Sequence, residues 1–236
     1  MLTLGIETSS PTGSAALVAD GVVINERANP VPNRHAEVLV RLVDELVADS
    51  RLQREQIDRI AVGTGPGSFT GLRVGIALAA GIATALERPL VGVCSLESVA
   101  CGFVRHQQST ASGHIVVLQD ARREEVFCSC YDHQGAVLHA PQVVSQKQIL
   151  QHLEKLVPRG PGNLVGANPQ QFAPEGGWPS RFTLHHVAAP QASVTALIAE
   201  RLNPNDTPVV PHYLRGADAT KPRLRSNPLL SPRQAV

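Results

Sequence analysis

The sequence contains 236 residues, of which 43% are hydrophobic, so it can bury one large core or two smaller ones and is not a disordered chain. With a formal charge of +1 and only 3% aromatic residues, it offers neither a basic surface nor stacking platforms, and we predict no direct contact with RNA. The four cysteines form no C-x-x-C pair and an apolar strand pattern follows Met1 directly, which favours a cytoplasmic location. The longest apolar run, residues 74–86, is short and rich in Gly and Ala, so we predict no membrane span.

Hydrophobic periodicity divides the first half of the chain into strands and helices. Asp20-Gly21 predicts a tight hairpin, and residues 30–33 interrupt the pattern. The predicted elements are strands at 2–7, 13–18, 22–26, 57–63 and 90–94, and helices at 35–49, 70–86 and 95–106.

The second half of the chain repeats this opening. The predicted elements are strands at 115–119, at 125–131 and around Val137, a helix at 145–157, a strand at 163–165 and a helix at 191–202. A β-β-β-α-β-α order in both halves indicates two related α/β lobes. We assign residues 1–106 to the first lobe, 107–210 to a smaller second lobe and 211–236 to an irregular tail rich in Pro and Arg.

A glycine-rich segment, GTGPGSFTGLRVG at residues 63–75, lies where a predicted strand passes into a helix. Glycines permit close backbone approach, and hydroxyls beside a helix N-terminus can hold an anion, so Gly65, Gly67, Ser68 and Thr70 are candidate phosphate contacts. The segment is not a P-loop, because no Gly-Lys-Ser/Thr triplet follows it. The alternative is a structural turn in which Ser68 or Thr70 caps the helix.

The first predicted strand ends in a polar turn, Glu7-Thr8-Ser9-Ser10. In sugar-kinase and actin-like folds, a carboxylate at the end of the first strand and the hydroxyl-rich turn after it face a nucleotide phosphate and its metal ion. Glu7, Thr8 and Ser9 are therefore candidate nucleotide contacts. The alternative is an ordinary polar turn at the end of a strand.

Two predicted helices carry wide apolar faces. On a helical wheel the apolar residues of helix 35–49 cover an arc of roughly 200°, which is more than one core-facing stripe needs. Helix 70–86 is apolar nearly all round, with Arg73 and Thr84 on its polar edge. Such faces are buried on more than one side, either by a partner protein or by the second lobe of the same chain.

The sequence contains no recognised catalytic constellation. No H-x-x-x-H or H-E-x-x-H motif occurs, so we assign no metal site and no catalytic residue. Cys128 and Cys130 share one face of a predicted strand, where two thiols without further ligands are typical of core packing. Ser68 lies in G-x-S-x-x-G and not in the G-x-S-x-G elbow of hydrolases.

Five segments along nearly the whole chain resemble the TsaB/YeaZ family in content and order. They are LGIETSS from Leu4, GPGSFTGLRVGI from Gly65, VGVCSLE from Val91, DARREEVF from Asp120 and YLR from Tyr213. The first two segments also occur, in altered form, in the catalytic paralogue TsaD, which is longer and carries a metal-binding H-x-x-x-H motif. The resemblance implies an α/β fold of the actin-like, sugar-kinase-like (ASKHA, ribonuclease H-like) class, with two lobes and mixed sheets.

The resemblance also implies a role. Such a protein is a non-catalytic subunit that binds and activates TsaD, which transfers a threonylcarbamoyl group to an adenosine beside the tRNA anticodon. The first lobe would bind TsaD through its two helices, or a second copy of itself when TsaD is absent, and TsaE would add an ATPase to the assembly. tRNA would be contacted only through this complex, no membrane would be involved, and ATP or ADP would be expected only in the assembled complex. The residues expected at the partner surface are His35, Leu39, Leu42, Val43, Leu46, Arg73, Ile76, Ala77, Ala80 and Thr84.

Two enzymatic alternatives remain open. An M22-type peptidase would need a metal site or an activated nucleophile, and stoichiometric zinc together with cleavage of TsaD would reveal it. A small-molecule, ATP-dependent kinase of the same fold would need a catalytic aspartate in the second lobe, and Asp120 is a poor candidate because the basic pair that follows it is better suited to salt bridges. Phosphoryl transfer by the isolated chain would reveal this second activity.

Overall fold

Two five-stranded sheets form the frame of the protein. The structure is a computed structural model that describes residues 1–29, 34–106 and 113–214. The strands of the first sheet are β1 (Leu2–Glu7), β2 (Ser14–Ala19), β3 (Val22–Ala28), β4 (Arg59–Gly63) and β5 (Leu90–Val93). Their order is β3-β2-β1-β4-β5, in which the first three strands are antiparallel and the last two run parallel to β1.

The second sheet repeats this arrangement strand by strand. Its members are β6 (His114–Arg122), β7 (Glu125–Tyr131), β8 (Val137–Ser145), β9 (Gly162–Gly166) and β10 (Phe182–His186). Read from the β8 edge, the order is β8-β7-β6-β9-β10, again with three antiparallel strands followed by two parallel ones. The predicted duplication of an α/β lobe with mixed sheets is therefore confirmed.

The second lobe differs from the sequence prediction in three elements. The third strand does not end near Val137 but runs to Ser145, and helix α4 (Ile149–Leu156) begins later than predicted. Most of β8 is exposed at the sheet edge, so its residues lack the apolar alternation that marks a strand. Strand β10 was missed for the same reason, because only Phe182 of its five residues is buried.

Each face of the first sheet is covered by helices. Side chains alternate along β1, so Leu2, Leu4 and Ile6 face one side, where they pack with α1 (His35–Asp49) and α2 (Phe69–Leu86). On the other side, Gly5 lies under α5 (Ala192–Ala199), where a side chain would come within 3.0 Å of the carbonyl oxygen of Ala192. This double cover explains why every residue of β1 is buried.

The two lobes exchange helices. Helix α3 (Ser95–His106) follows the first sheet in the chain but packs its apolar residues, such as Phe103, against β6 and β9 of the second sheet. Helix α5 follows the second sheet but packs on β1, β2 and β4 of the first. By their place in the sequence, residues 191–202 are predicted to belong to the second lobe, whereas α5 packs in the core of the first. The lobes are therefore connected by two helices that also contact each other.

The chain returns to the first lobe after α5. Val209 packs on the core under the first sheet, and the His212 backbone N–H donates to the Thr64 carbonyl oxygen at 2.8 Å. Residues 211–214 have no helix or strand. The rest of that tail, residues 215–236, and the predicted interruption at 30–33 lie outside the described residues.

Candidate functional site

A cleft of about 650 Å³ lies between the lobes. One wall is the turn after β1 together with the start of α2, and the opposite wall is the end of β6 with the loop after β9. His212 and Tyr213 of the returning segment lie at its side. Both β1 and β6 are central strands, and the cleft therefore sits beyond their carboxyl ends, where α/β folds commonly bind ligands.

The structure brings together only some of the predicted nucleotide contacts. Ser9, Gly67, Ser68 and Thr70 line the cleft. Ser68 is also the N-cap of α2, because its hydroxyl accepts the Gly71 N–H at 3.2 Å, as one of the two sequence alternatives predicted. Nucleotide binding at these four positions remains a prediction.

The other three candidates, Glu7, Thr8 and Gly65, do not line the cleft. The Glu7 carboxylate is fully buried and accepts hydrogen bonds from the Ser9 N–H at 2.8 Å and from the Ser95 hydroxyl at 3.0 and 3.2 Å. Thr195 of α5 lies 3.4 Å from the same carboxylate. Glu7 therefore ties β1 to the two exchanged helices and does not point at a phosphate, which corrects the sequence expectation.

Burial raises the pKa of the Glu7 carboxyl above its usual value of 4.5, although hydrogen bonds from Ser9 and Ser95 oppose the shift. A carboxyl with a raised folded-state pKa contributes stability at low pH that is lost as pH rises through the folded pKa. In a Glu7→Gln variant this titration is absent. We therefore expect the wild type to lose stability relative to Glu7→Gln as pH rises above about 4.5.

Urea unfolding of both proteins across this pH range measures the difference, and all other titrating groups cancel because the two proteins share them. A stability difference that stays constant with pH would contradict the assignment of Glu7 as a buried carboxyl with a raised pKa.

The glycines of the 63–75 segment serve close packing. A side chain at Gly67 would meet the Ser9 backbone, and one at Gly71 would meet the Thr8 carbonyl oxygen, both at under 3.0 Å. The Thr8 hydroxyl in turn donates to the Gly71 carbonyl oxygen at 2.8 Å. The helix and the β1 turn thus pack backbone against backbone, which only glycine permits.

The opposite wall of the cleft contains a strained hairpin between β6 and β7. Arg122, Arg123 and Glu124 all adopt positive φ angles, of 62°, 53° and 59°. The Asp120 carboxylate accepts the Arg122 N–H at 2.7 Å, which holds the hairpin in this shape. Non-glycine residues in the left-handed region cost roughly 1 kcal/mol or more each. The signal in the sequence was Asp120, a residue type that commonly bonds the backbone two residues later.

The partner surface predicted on helix α1 is buried within this chain. Leu39, Leu42, Val43 and Leu46 are 2%, 6%, 7% and 0% exposed and belong to the core under the first sheet. These four are covered because α1 contacts β2, β3 and α2 at once, whereas Val40 on the same helix is 56% exposed. These four residues are therefore core residues, which corrects the sequence expectation. The side chain of His35 lies outside the described residues.

Helix α2 retains an exposed apolar face. Of its 18 residues only five are buried, namely Gly71, Leu72, Gly75, Ala79 and Ala83. Among the predicted partner residues, Arg73, Ala77 and Thr84 are exposed, and Ile76 and Ala80 are half-buried. Gly81 and Ala85 are also exposed, and sequence reasoning missed them because small residues give a weak apolar signal.

By length and composition alone, helix α2 could cross a membrane. In this structure it packs against β1, β4, β5 and α1, and 28% of it is buried. Its remaining apolar surface faces outward from the first lobe.

The thiols of the second lobe belong to its core. Cys128 and Cys130 are 1% and 0% exposed and pack with α4, as the sequence predicted. Burial raises the pKa of Cys130 to about 11, so its reactive thiolate is scarce near neutral pH. Among residues 1–29, 34–106 and 113–214, no group of three or more His, Cys, Asp or Glu is placed to hold a metal ion.

Two lobes with the same strand order around a central cleft define a protein of the actin-like, sugar-kinase-like class. Residues 27–195 match the family model described as TsaD: tRNA N6-adenosine threonylcarbamoyltransferase. The chain belongs to the TsaB/YeaZ family.

Three similar proteins illustrate this membership. An uncharacterised protein of Mycobacterium tuberculosis is 34% identical over 92% of each chain. The tRNA threonylcarbamoyladenosine biosynthesis protein TsaB of Escherichia coli is 35% identical over 56% of this chain and 55% of its own. The structure of YeaZ from Pseudomonas aeruginosa superimposes with a TM-score of 0.72 and 26% identity, covering 90% of this chain and 99% of that one.

Proposed function

We propose that this protein takes part in forming N6-threonylcarbamoyladenosine in tRNA, as a non-catalytic subunit that binds and activates TsaD. The names of its TsaB relatives and the match to the TsaD family model support the pathway. The observation that carries the subunit role is the exposed apolar face of α2. Exposed faces of this kind mark interaction sites, because leaving them in water forgoes the stabilisation that burial gives.

The polar groups around the cleft favour a supporting role over catalysis. The Glu7 carboxylate is enclosed by donors from Ser9, Ser95 and Thr195, and it has no path to a substrate. Asp120 accepts a backbone N–H of its own hairpin. A general base must lie within hydrogen-bond reach of the proton it removes, and a fully buried carboxylate does not.

The proposed mechanism is a shift of population in the partner. Docking on α2 stabilises the arrangement of TsaD that is competent for transfer. The size of the shift equals the difference between the binding free energies of the competent and the other arrangement of TsaD. TsaE would join this assembly, tRNA would be contacted through the complex, and any ATP or ADP would bind there. The protein would act in the cytoplasm, and it would form a homodimer when TsaD is absent.

The test is the rate at which TsaD modifies tRNA when supplied with threonylcarbamoyl-adenylate, with and without this protein. We expect the protein to raise the rate by about tenfold or more, which is a typical coupling between sites, and to form no product alone. Equal rates with and without it would reject the activating role. Product formed by this protein alone would reject its non-catalytic status.

A further inference from the structure

The exposed face of α2 contains one charged residue. Within Phe69–Leu86, Arg73 is the only Asp, Glu, Lys or Arg. Residues four apart lie on one side of a helix, so Arg73, Ala77, Gly81 and Ala85 form a line along the exposed face. A single cation therefore stands at the cleft end of an otherwise small and apolar surface.

Aromatic side chains hold Arg73 in place. Its guanidinium carbon lies 3.8 Å from the centre of the Phe69 ring and 5.9 Å from that of Tyr213. The Arg73 Nε donates to the Tyr213 hydroxyl at 3.1 Å, and the two rings are 4.8 Å apart. Tyr213 comes from the returning segment, which the His212 N–H fixes to Thr64. The plane of the guanidinium is thus set before any partner binds.

The two Nη nitrogens of Arg73 remain available. In the described part of the chain, Nε is the only guanidinium nitrogen of Arg73 with a hydrogen bond, and no ion pair involves the residue. A partner that covers α2 would remove water from these donors, and a guanidinium that loses water without gaining an acceptor is costly. A carboxylate is the group that two parallel N–H donors of a guanidinium fit best.

We propose that the partner docked on α2 presents an aspartate or glutamate to the Nη pair of Arg73, which sets the orientation of the docked subunit. This inference rests on the proposed function, since it concerns the same surface and takes TsaD as the occupant. It adds that the partner must have a carboxylate opposite the start of α2.

The test is a calorimetric titration of TsaD from the same organism into this protein, which gives the affinity. We expect Arg73→Gln to weaken binding by about 10- to 100-fold, and Arg73→Lys to restore only part of the loss because a lysine lacks the planar fork. Arg41→Gln is the control, because Arg41 is also an exposed arginine, lies on α1 and pairs with Glu45 at 3.4 Å. It should change the affinity by less than about twofold.

A double-mutant cycle identifies the acidic partner residue. When the opposing carboxylate of TsaD is neutralised, affinity should fall with the wild type and stay unchanged with Arg73→Gln. If Arg73→Gln binds as tightly as the wild type, the inference is wrong while docking on α2 stands. If wild-type protein does not bind TsaD, both the inference and the proposed function fail. If Arg73→Gln loses self-association and nothing else, the inference is overturned, because the occupant of α2 that uses Arg73 is then a second copy of this chain.

Discussion

Replacing Gly71 by alanine is expected to destabilise the protein by about 3 kcal/mol, whereas the same replacement at Gly81 is expected to stabilise it by about 0.5 to 1 kcal/mol. Both glycines lie in α2. At Gly71 the new methyl group would meet the backbone oxygen of Thr8 at under 3.0 Å, and that backbone cannot rotate away. At Gly81 nothing lies within 4 Å, so alanine gains its helix propensity without a clash.

Urea unfolding of the two variants and the wild type measures this contrast. Both substitutions add one methyl group to the same helix, so helix propensity favours both and only their surroundings differ. If both variants were stabilised, the close packing of α2 on the β1 turn would be wrong. If both were destabilised, Gly81 would have to be packed in a way that the structure does not show.

The second large effect concerns binding. We expect Gly81→Glu to weaken the affinity for TsaD by more than about 100-fold, which corresponds to about 2.7 kcal/mol, without lowering the stability of the isolated protein. Gly81 lies in the middle of the exposed face, where small residues permit a close approach of the partner. A carboxylate there would obstruct this approach and would be buried without a cation.

Ala140→Glu is the matched control for this variant. It adds the same carboxylate at another exposed small residue, on strand β8 of the second lobe and away from α2. Calorimetry should show that Ala140→Glu binds TsaD with the same affinity as the wild type. Equal losses in both variants would point to a general effect of charge, and no loss in Gly81→Glu would place the docking surface elsewhere.

Local signals in the sequence predicted local structure well. The Asp20-Gly21 pair forms the expected hairpin, with positive φ angles of 47° and 79°, because these residue types tolerate that conformation. Ser68 caps α2 because its short hydroxyl reaches the free N–H groups of the first turn. The apolar face of α2 was also visible in its sequence, since after Thr70 in the first turn only Arg73 and Thr84 have polar side chains.

Contacts between distant parts of the chain could not be read in this way. Glu7 stands at the end of a strand, as candidate ligands do, yet Thr195 and Ser95 close over it from helices far along the sequence. On α1, the wide apolar arc suggested a partner, but the sheet and α2 of the same lobe cover the part that contains Leu39 and Leu46. A helical wheel gives the width of an apolar face and does not tell which protein covers it.

The exchange of α3 and α5 between the lobes was equally hidden. Both helices were predicted, and each was assigned to the lobe in which its sequence falls. The missing side chain at Gly5 is the feature that lets α5 pack onto β1, and a lone glycine in a predicted strand has several explanations. The lobe boundary is therefore a property of packing that the order of elements does not determine.

The central claim is that this protein is a docking subunit, and light scattering after size-exclusion chromatography tests it most directly. The wild-type protein would be run on the column alone and mixed with TsaD from the same organism, and light scattering would give the molar mass of each peak. We expect a new species with the mass of one copy of each protein. Two separate peaks with unchanged masses, at concentrations well above micromolar, would contradict it.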